Sequence, residues 1–194
     1  MLKGILQNEL FYCNHLGANP DDERDIQAFS ARDERGEGLV IYLKDYAFRE
    51  EINGQMRTYI VRDAETSEIV AYFALKAGLI SINELVTEDE TTFDTLPGVE
   101  LANFAVNNAY IENYPSMKGV GYIVFTDFIL PLIEMASETI GIKVLYIFSL
   151  PETGLIHRYE KYGFQRLSNK WEDAIHQRLK PNYDKDCIFM YLVF

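Results

Sequence analysis

The sequence predicts a mixed α/β (α+β) fold in which one central mixed sheet is flanked by helices. Two β-branched and aromatic runs, 58–62 and 69–75, lie on either side of a polar loop and predict a hairpin. A short apolar run, 101–106, precedes a glycine loop and a long apolar periodic stretch, 122–140. Because the hydrophobic period changes repeatedly between strand and helix after residue 100, the second half of the chain predicts a βαβα core.

The totals suit one domain, because the chain has 194 residues and 48% of them are apolar. No uninterrupted apolar run reaches the roughly 18 residues of a membrane helix, and the N-terminus lacks a signal-peptide pattern. We therefore expect a cytoplasmic protein without membrane contacts. Cys13 and Cys187 predict free thiols, and neither they nor His15, His157 and His176 have metal-ligand spacing, so no metal site is predicted.

The charge balance bears on the substrate. The net charge is −12, from 18 basic and 30 acidic side chains, which repels a polyanion and disfavours broad nucleic-acid binding. The segment 156–186 departs from this balance, with seven Lys or Arg against five Asp or Glu. A local basic surface could therefore form there.

Residues 1–55 are predicted to be mostly helical. The acidic residues 21–23 after Pro20 suit the first turn of a helix. The apolar spacing within 39–47 suits one face of a second helix that packs on the core. Residues 76–98 mix apolar and acidic groups and predict an extended excursion or a surface insertion.

The stretch 122–140 predicts one helix that ends at Gly141. Pro131 should kink it or divide it, because proline has no N–H to donate and clashes with the preceding turn. The other predicted elements are a strand at 143–148, a helix at 152–162 ended by Gly163, and a last strand at 187–193. This last strand and the segment 79–98 are the two candidate edges for a homodimer.

The glycine loop between strand and helix is the strongest local signal for a ligand. Glycines let the backbone approach a ligand closely, and the start of a helix offers free N–H groups at the positive end of its dipole. The sequence therefore predicts a phosphate site formed by the backbone amides of Lys118, Gly119, Val120, Gly121 and Tyr122.

Two motifs carry a resemblance to a known family. Ser116-Met117-Lys118-Gly119-Val120-Gly121 lies on the frame (Gln/Arg)-x-x-Gly-x-(Gly/Ala), and residues 148–164, FSLPETGLIHRYEKYGF, end in Tyr-x-x-x-Gly-Phe. With these residues the sequence resembles the GNAT superfamily of acyl-CoA-dependent N-acyltransferases. The resemblance follows the family order over 57–194, and it implies a single GNAT-like domain over 1–194 whose helical part is 1–55.

The resemblance implies acetyl-CoA as co-substrate and transfer of its acetyl group to a primary amine. It assigns cofactor contacts to the loop residues Ser116, Met117, Lys118, Gly119, Val120, Gly121 and Tyr122. It also implies that the backbone of Phe104, Ala105 and Val106 pairs with the amide-bearing pantetheine arm, as an added strand would.

The resemblance further implies roles for two side chains. Tyr159 stands four residues before Gly163, where the family has its general acid, and a phenol of pKa near 10 can donate a proton to a thiolate of pKa near 8.5. Glu100, at the start of the apolar strand, could accept the amine proton or anchor a cationic substrate. Each residue also has a plain structural interpretation, which is core packing for Tyr159 and a solvated carboxylate for Glu100.

Three functional hypotheses follow. The acidic balance favours a small cationic amine or a basic peptide as acceptor. The N-terminal segments 39–47 and 70–78 are similar to those of toxin-type acetyltransferases that modify charged tRNA, which is the alternative. A tRNA substrate would need a basic face formed by Arg158, Lys161, Arg166 and Lys170. The third hypothesis is a non-catalytic GNAT-like module that binds CoA.

Overall fold

The structure, a computed structural model, describes the backbone of residues 4–86, 91–168, 172–173, 175–176 and 186–194, and their side chains outside 81–94. The strands are β1 (Leu6–Gln7), β2 (Phe11–His15), β3 (Arg57–Asp63), β4 (Ile69–Val86), β5 (Thr91–Val106), β6 (Val144–Ser149), β7 (Gln165–Arg166) and β8 (Ile188–Val193). The main helical segments are α1 (Asp22–Asp25), α2 (37–52), α3 (Asn108–Asn113), α4 (Val120–Ser137) and α5 (Thr153–Lys161).

The strands form one mixed sheet in the order β1-β2-β3-β4-β5-β6-β8-β7. β5 pairs in parallel with β6, whereas β2 with β3, β3 with β4, and β6 with β8 are antiparallel pairs. The predicted hairpin, the strand at 143–148 and the last strand are confirmed. The predicted mixed sheet with flanking helices is also confirmed.

The N-terminal prediction is wrong over its first part. Residues 11–15 form β2, which pairs with β3 from Phe11 opposite Asp63 to His15 opposite Tyr59. Phe11, Tyr12 and Cys13 are all buried, so this strand lacks the alternating pattern that identifies a half-exposed strand in a sequence. The helix at 39–47 is confirmed within α2, and the excursion at 76–98 is extended because β4 continues to Val86 and β5 begins at Thr91.

Helix α4 has an irregular turn where the sequence predicts an interruption. Regular α-helix runs to Val124, a wider π-helical turn spans Phe125–Ile129, and regular α-helix resumes at Leu130. Pro131 has no N–H to donate to the carbonyl of Asp127, four residues before it, and the wider turn lies over that position. The interruption is therefore one turn earlier than the proline itself.

By length and composition, α4 is also the one helix in the described part of the chain that would suit a membrane span. The buried core helix of a soluble protein passes the same test. Val124, Phe128 and Ile133 of α4 are buried, whereas Asp127 and Glu134 are exposed. This is the amphipathic distribution of a helix that packs on a protein core.

The last strand is not a free edge of the sheet. Gly163, with φ +95°, turns the chain after α5, and β7 then pairs with β8 through Gln165 opposite Tyr191 and Arg166 opposite Met190. β8 thus lies between β6 and β7, which corrects the expectation that it forms a dimer edge.

The chain divides into two compact units, residues 1–76 with 102–135 and residues 77–101 with 136–194. The first has a core around Tyr72, whose hydroxyl donates a hydrogen bond of 2.6 Å to the carbonyl of Leu39. The second has a core around Tyr146 and Phe189. The prediction of a single domain stays a prediction.

A buried ion-pair network fixes α1 to β3 in the first unit. Arg62 is 3% exposed and donates hydrogen bonds to Asp22 (2.7 Å), Asp25 (2.8 Å) and the carbonyl of Ser67 (2.7 Å). Asp22, also buried, accepts a further bond from the amide of Gly17. Burial opposes the charge on Arg62, but the hydrogen bonds to the two carboxylates outweigh it and raise its pKa.

Replacing Arg62 by alanine should therefore leave a buried carboxylate without its partner. We expect Arg62→Ala to lower the free energy of unfolding by about 3–5 kcal/mol. Arg24→Ala is the matched control, because Arg24 also pairs with Asp25 but is 74% exposed, and it should cost at most about 1 kcal/mol. Urea unfolding of the two variants checks this, and equal losses would contradict it.

Candidate active site

The glycine loop adopts the geometry that the sequence predicts. Gly119 has φ +72° and is the residue before the first turn of α4. A Cβ placed on it would meet nothing within 4 Å, so glycine is needed there for its backbone conformation and not for lack of room. The loop is exposed at Ser116, Lys118 and Gly119, whereas Val120 is 3% exposed and fixes the start of the helix in the core.

The loop offers fewer free amides than the sequence suggests. The N–H of Tyr122 donates to the carbonyl of Gly119 (2.8 Å), and the N–H of Met117 donates to the carbonyl of Tyr114 (2.9 Å). Tyr122 is therefore not an amide donor for a ligand, because the helix has already begun. The amides of residues 118–121 have no acceptor among the described residues, as expected for the first turn of a helix.

The strand end at 104–106 is fixed by the next residue. Asn107 is buried, and its amide N–H donates to the carbonyl of Val70 (2.8 Å). Its side chain donates to the carbonyl of Ile69 (2.8 Å) and accepts from the amide of Ser30 (3.1 Å). Phe104, Ala105 and Val106 are half-buried in front of this anchor. Their backbone is thus held in a rigid part of the first unit.

Tyr159 lies on α5 in the second unit and is 8% exposed. Its ring packs edge-on against Tyr162 and Phe164, with centroids 6.0 and 5.5 Å away. Burial raises the pKa of Tyr159, so the phenol keeps its proton at any physiological pH. Its hydroxyl has no hydrogen-bond partner among the described residues. The side chain is packed, protonated and able to donate.

Glu100 lies where the parallel pairing of β5 with β6 ends. The pairing covers Gly98 to Glu100 on β5 and Val144 to Tyr146 on β6, and Glu100 is opposite Tyr146 in the last pair. The two side chains therefore lie on the same face of the sheet, next to each other. Burial, and then the charge and the hydrogen bond of Glu100, raise the pKa of Tyr146, so it remains a neutral donor.

Two strand glycines make room for Tyr146. A Cβ on Gly78 of β4 would overlap the Tyr146 hydroxyl, and a Cβ on Gly98 of β5 would lie 2.7 Å from a methyl group of Val144 and 3.4 Å from the Tyr146 ring. The phenol is 3% exposed and packs against Phe189, with ring centroids 5.8 Å apart. Side chains larger than hydrogen at these two positions would displace it.

The structure thus places the predicted residues in two groups. The loop at 116–122 and the strand end at 104–106 belong to the first unit, whereas Glu100 and Tyr159 belong to the second. Their catalytic and cofactor-binding roles stay predictions. Tyr146 was missed because nothing distinguishes a functional phenol in an apolar strand. The glycines within β4 and β5 were the available signal, since glycine inside a strand often marks a close approach.

The remaining candidate side chains have local roles. His157 is exposed on α5, and its Nδ1 lies 3.4 Å from the Glu160 carboxylate. Cys13 and Cys187 are thiols, as predicted, and both are buried. Within the residues that the structure describes, no group of three or more His, Cys, Asp or Glu side chains could hold a metal ion.

At least one residue of the predicted basic face is already paired with a carboxylate. Arg158 and Lys161 are exposed in the last turn of α5. Arg166 instead forms an ion pair of 3.1 Å with Glu172, which neutralises it. Lys170 lies outside the described residues.

Comparison of the fold with solved structures gives several similar proteins. A tyrosine-to-phenylalanine mutant of KacT has a TM-score of 0.68 and 16% identity, and the match covers 95% of each chain. AtaT complexed with acetyl-methionyl-tRNAfMet has a TM-score of 0.65 and 18% identity over 94% of each chain. AtaTR bound with AcCoA has a TM-score of 0.62 and 16% identity over 96% of this chain and 94% of that one.

At these identities the likeness establishes the fold, and the predicted fold is confirmed over nearly the whole chain. No protein-family profile matches the sequence, and no curated protein matches it either.

Proposed function

We propose that this chain, which has the GNAT fold of the KacT and AtaT toxins, is an N-acetyltransferase that uses acetyl-CoA to acetylate the amino group of an aminoacyl-tRNA. The observation that carries the proposal is the fold likeness over more than nine-tenths of the chain to a protein solved with an acetylated aminoacyl-tRNA and to one bound with acetyl-CoA.

The loop before α4 supports acetyl-CoA as the co-substrate. Its free first-turn amides and the positive end of the α4 dipole suit a pyrophosphate. The open space beside Gly119 lets phosphate oxygens approach the backbone, and the exposed side chain of Lys118 can add a charge. The acetyl thioester supplies the activated carbonyl.

The side chains of the second unit supply the proton transfers. The substrate ammonium gives one proton to the Glu100 carboxylate, because an amine must be neutral to attack. As the C–N bond forms and the C–S bond breaks, the thiolate takes the proton of the Tyr159 hydroxyl. The proton that the acylated nitrogen then loses returns to solvent, and solvent reprotonates Tyr159. Burial raises the pKa of Tyr159, which keeps the phenol protonated before the reaction but also makes it a weaker acid toward the thiolate.

A small cationic amine is the second candidate acceptor, and the net charge of −12 favours it. Acidic residues exceed basic ones in both compact units, and the ion pair of Arg166 removes one cation from the segment 156–186.

A direct substrate comparison decides between the two. We expect labelled acetyl groups to pass from acetyl-CoA to a mixture of aminoacylated tRNAs and not to spermidine, because the neighbours of this fold include an acetylated aminoacyl-tRNA complex. Deacylated tRNA is the control. Transfer to spermidine alone would establish the second candidate, and binding of acetyl-CoA with no transfer to either would indicate a non-catalytic module.

Gly119→Ala tests the loop. The added methyl group should occupy the space of a phosphate oxygen and weaken acetyl-CoA binding by at least about tenfold, as measured by calorimetry. Gly54→Ala is the matched control, because Gly54 has φ +68° and also has nothing within 4 Å of an added Cβ. Both variants should carry the same backbone strain of about 1 kcal/mol. Equal affinity in both would show that the loop does not bind the co-substrate.

Tyr159→Phe tests the acid. The phenyl ring preserves the packing against Tyr162 and Phe164, so the fold should be unchanged. We expect kcat to fall by about 10²-fold or more while the affinity for acetyl-CoA is retained, since a general acid contributes about 10²–10⁴ in rate. Tyr162→Phe, one turn away and half-buried, should keep its kcat. An unchanged kcat for Tyr159→Phe would remove its assigned role.

A further inference from the structure

The space for the Tyr146 phenol is made at a cost to the sheet. Two positions within β4 and β5, Gly78 and Gly98, lack a side chain, although glycine weakens a strand. A Cβ built on Gly78 would meet Tyr146, and a Cβ built on Gly98 would meet Val144 and Tyr146. A phenylalanine at position 146 would fill the same apolar core. Packing alone therefore does not explain why a hydroxyl occupies the space where a Cβ of residue 78 would lie.

The register explains where that hydroxyl goes. Glu100 and Tyr146 are opposite each other in the last parallel pair, so their side chains share one face of the sheet. The core beneath Tyr146 consists of apolar side chains, Ile80, Ile175 and Phe189 among them. Glu100 is half-buried beside it, and after burial its charge is the next cause that raises the pKa of Tyr146.

We propose that Tyr146 is the positioning residue for Glu100: its hydroxyl donates a hydrogen bond that holds the carboxylate in one orientation to accept the proton of the substrate ammonium, and Gly78 and Gly98 let the phenol reach it. The inference rests on the proposed acetyltransferase function. The proton moves from the ammonium nitrogen to a Glu100 oxygen, and Tyr146 keeps its own proton throughout.

The described side chains around this cluster include two other titratable groups. They are Tyr191 on β8, opposite Tyr146 in the register, and His176, which packs edge-on against Phe148. Glu172 is already paired with Arg166 and with the amide of Phe189. Glu100 is the group whose charge raises the pKa of Tyr146.

The test compares Tyr146→Phe with Tyr191→Phe. A carboxylate that loses a donor is less stable in its charged form, so its pKa rises. For Tyr146→Phe we expect the acidic limb of the kcat/KM profile to move up by about one pH unit, so that kcat/KM at a pH on that limb falls about tenfold. KM for acetyl-CoA should be unchanged. Tyr191→Phe removes the neighbouring phenol and should leave the profile where it is.

Two further variants separate positioning from structure. Gly78→Ala leaves the phenol in the chain but displaces its hydroxyl, so it should reproduce the shift of Tyr146→Phe. In the Glu100→Gln background, Tyr146→Phe should cause no further loss of kcat, because residues that act through one group are not additive. Additive losses, or a loss of kcat with an unmoved acidic limb, would overturn the inference and leave Tyr146 a packing residue.

A measurement that needs no enzymatic turnover distinguishes failure of the positioning role from failure of the proposed function. NMR titration of carboxyl-labelled glutamate, with Glu100→Gln to identify the signal, should show the Glu100 pKa higher in Tyr146→Phe than in the wild-type protein. An active wild-type enzyme with an unmoved Glu100 signal would refute the positioning role alone. A wild-type protein that neither binds acetyl-CoA nor transfers an acetyl group would refute the proposed function, and the catalytic role of Tyr146 with it.

Discussion

The short parallel pairing of β5 with β6 is the constraint on which the candidate chemistry depends. It consists of three residue pairs and ends at Glu100 and Tyr146. A parallel pair places side chains of the same register on the same face, so this last pair joins a carboxylate and a phenol without any loop to position them. β6 is held on its other side by the full length of β8, from Val144 opposite Val193 to Ser149 opposite Ile188. The phenol is thus carried by a strand that cannot shift independently.

The two units achieve rigidity by different means. The first contains buried polar connections, in which Arg62 holds α1 through two carboxylates and Asn107 holds the end of β5 through three hydrogen bonds. The second has a cluster of aromatic rings around Phe189, where Tyr146, Phe148 and Tyr191 all lie within 6.3 Å between centroids. The ion pairs of Arg62 fix α1 to β3, whereas the aromatic cluster supplies burial. A buried polar hydroxyl in that second cluster therefore stands out.

The sequence predicts most of the fold because most elements carry a regular pattern. The hairpin, the helix before Gly163 and the final strands follow from periodicity and capping residues alone. β2 does not, because Phe11, Tyr12 and Cys13 are buried on both faces and leave no alternation. The wide turn in α4 is displaced from Pro131 because the missing donor affects the carbonyl four residues earlier.

The candidate site is less predictable than the fold. The left-handed conformation at Gly119 follows from the glycine itself. Glu100 and Tyr159 are ordinary residues in composition, and only a family resemblance selects them. Tyr146 could not be selected, because its role depends on a register that pairs two strands more than forty residues apart. Gly98 follows Pro97, and this pair of residues is typical of a turn, whereas in the structure Gly98 lies within β5.

The net charge and the fold act on different steps, which explains why they favour different acceptors. A net charge of −12 slows the approach of a polyanion and speeds that of a cation. This long-range effect decays within a Debye length of about 8 Å at physiological salt. Once a substrate is bound, local donors and acceptors decide the chemistry, and Glu100 would accept a proton from either ammonium group. Arg158 and Lys161 do not settle the question either, because cations in the last turn of a helix are stabilised by its dipole without any RNA. The charge therefore sets how fast an acceptor arrives, whereas the side chains around the bound acceptor decide what is done to it.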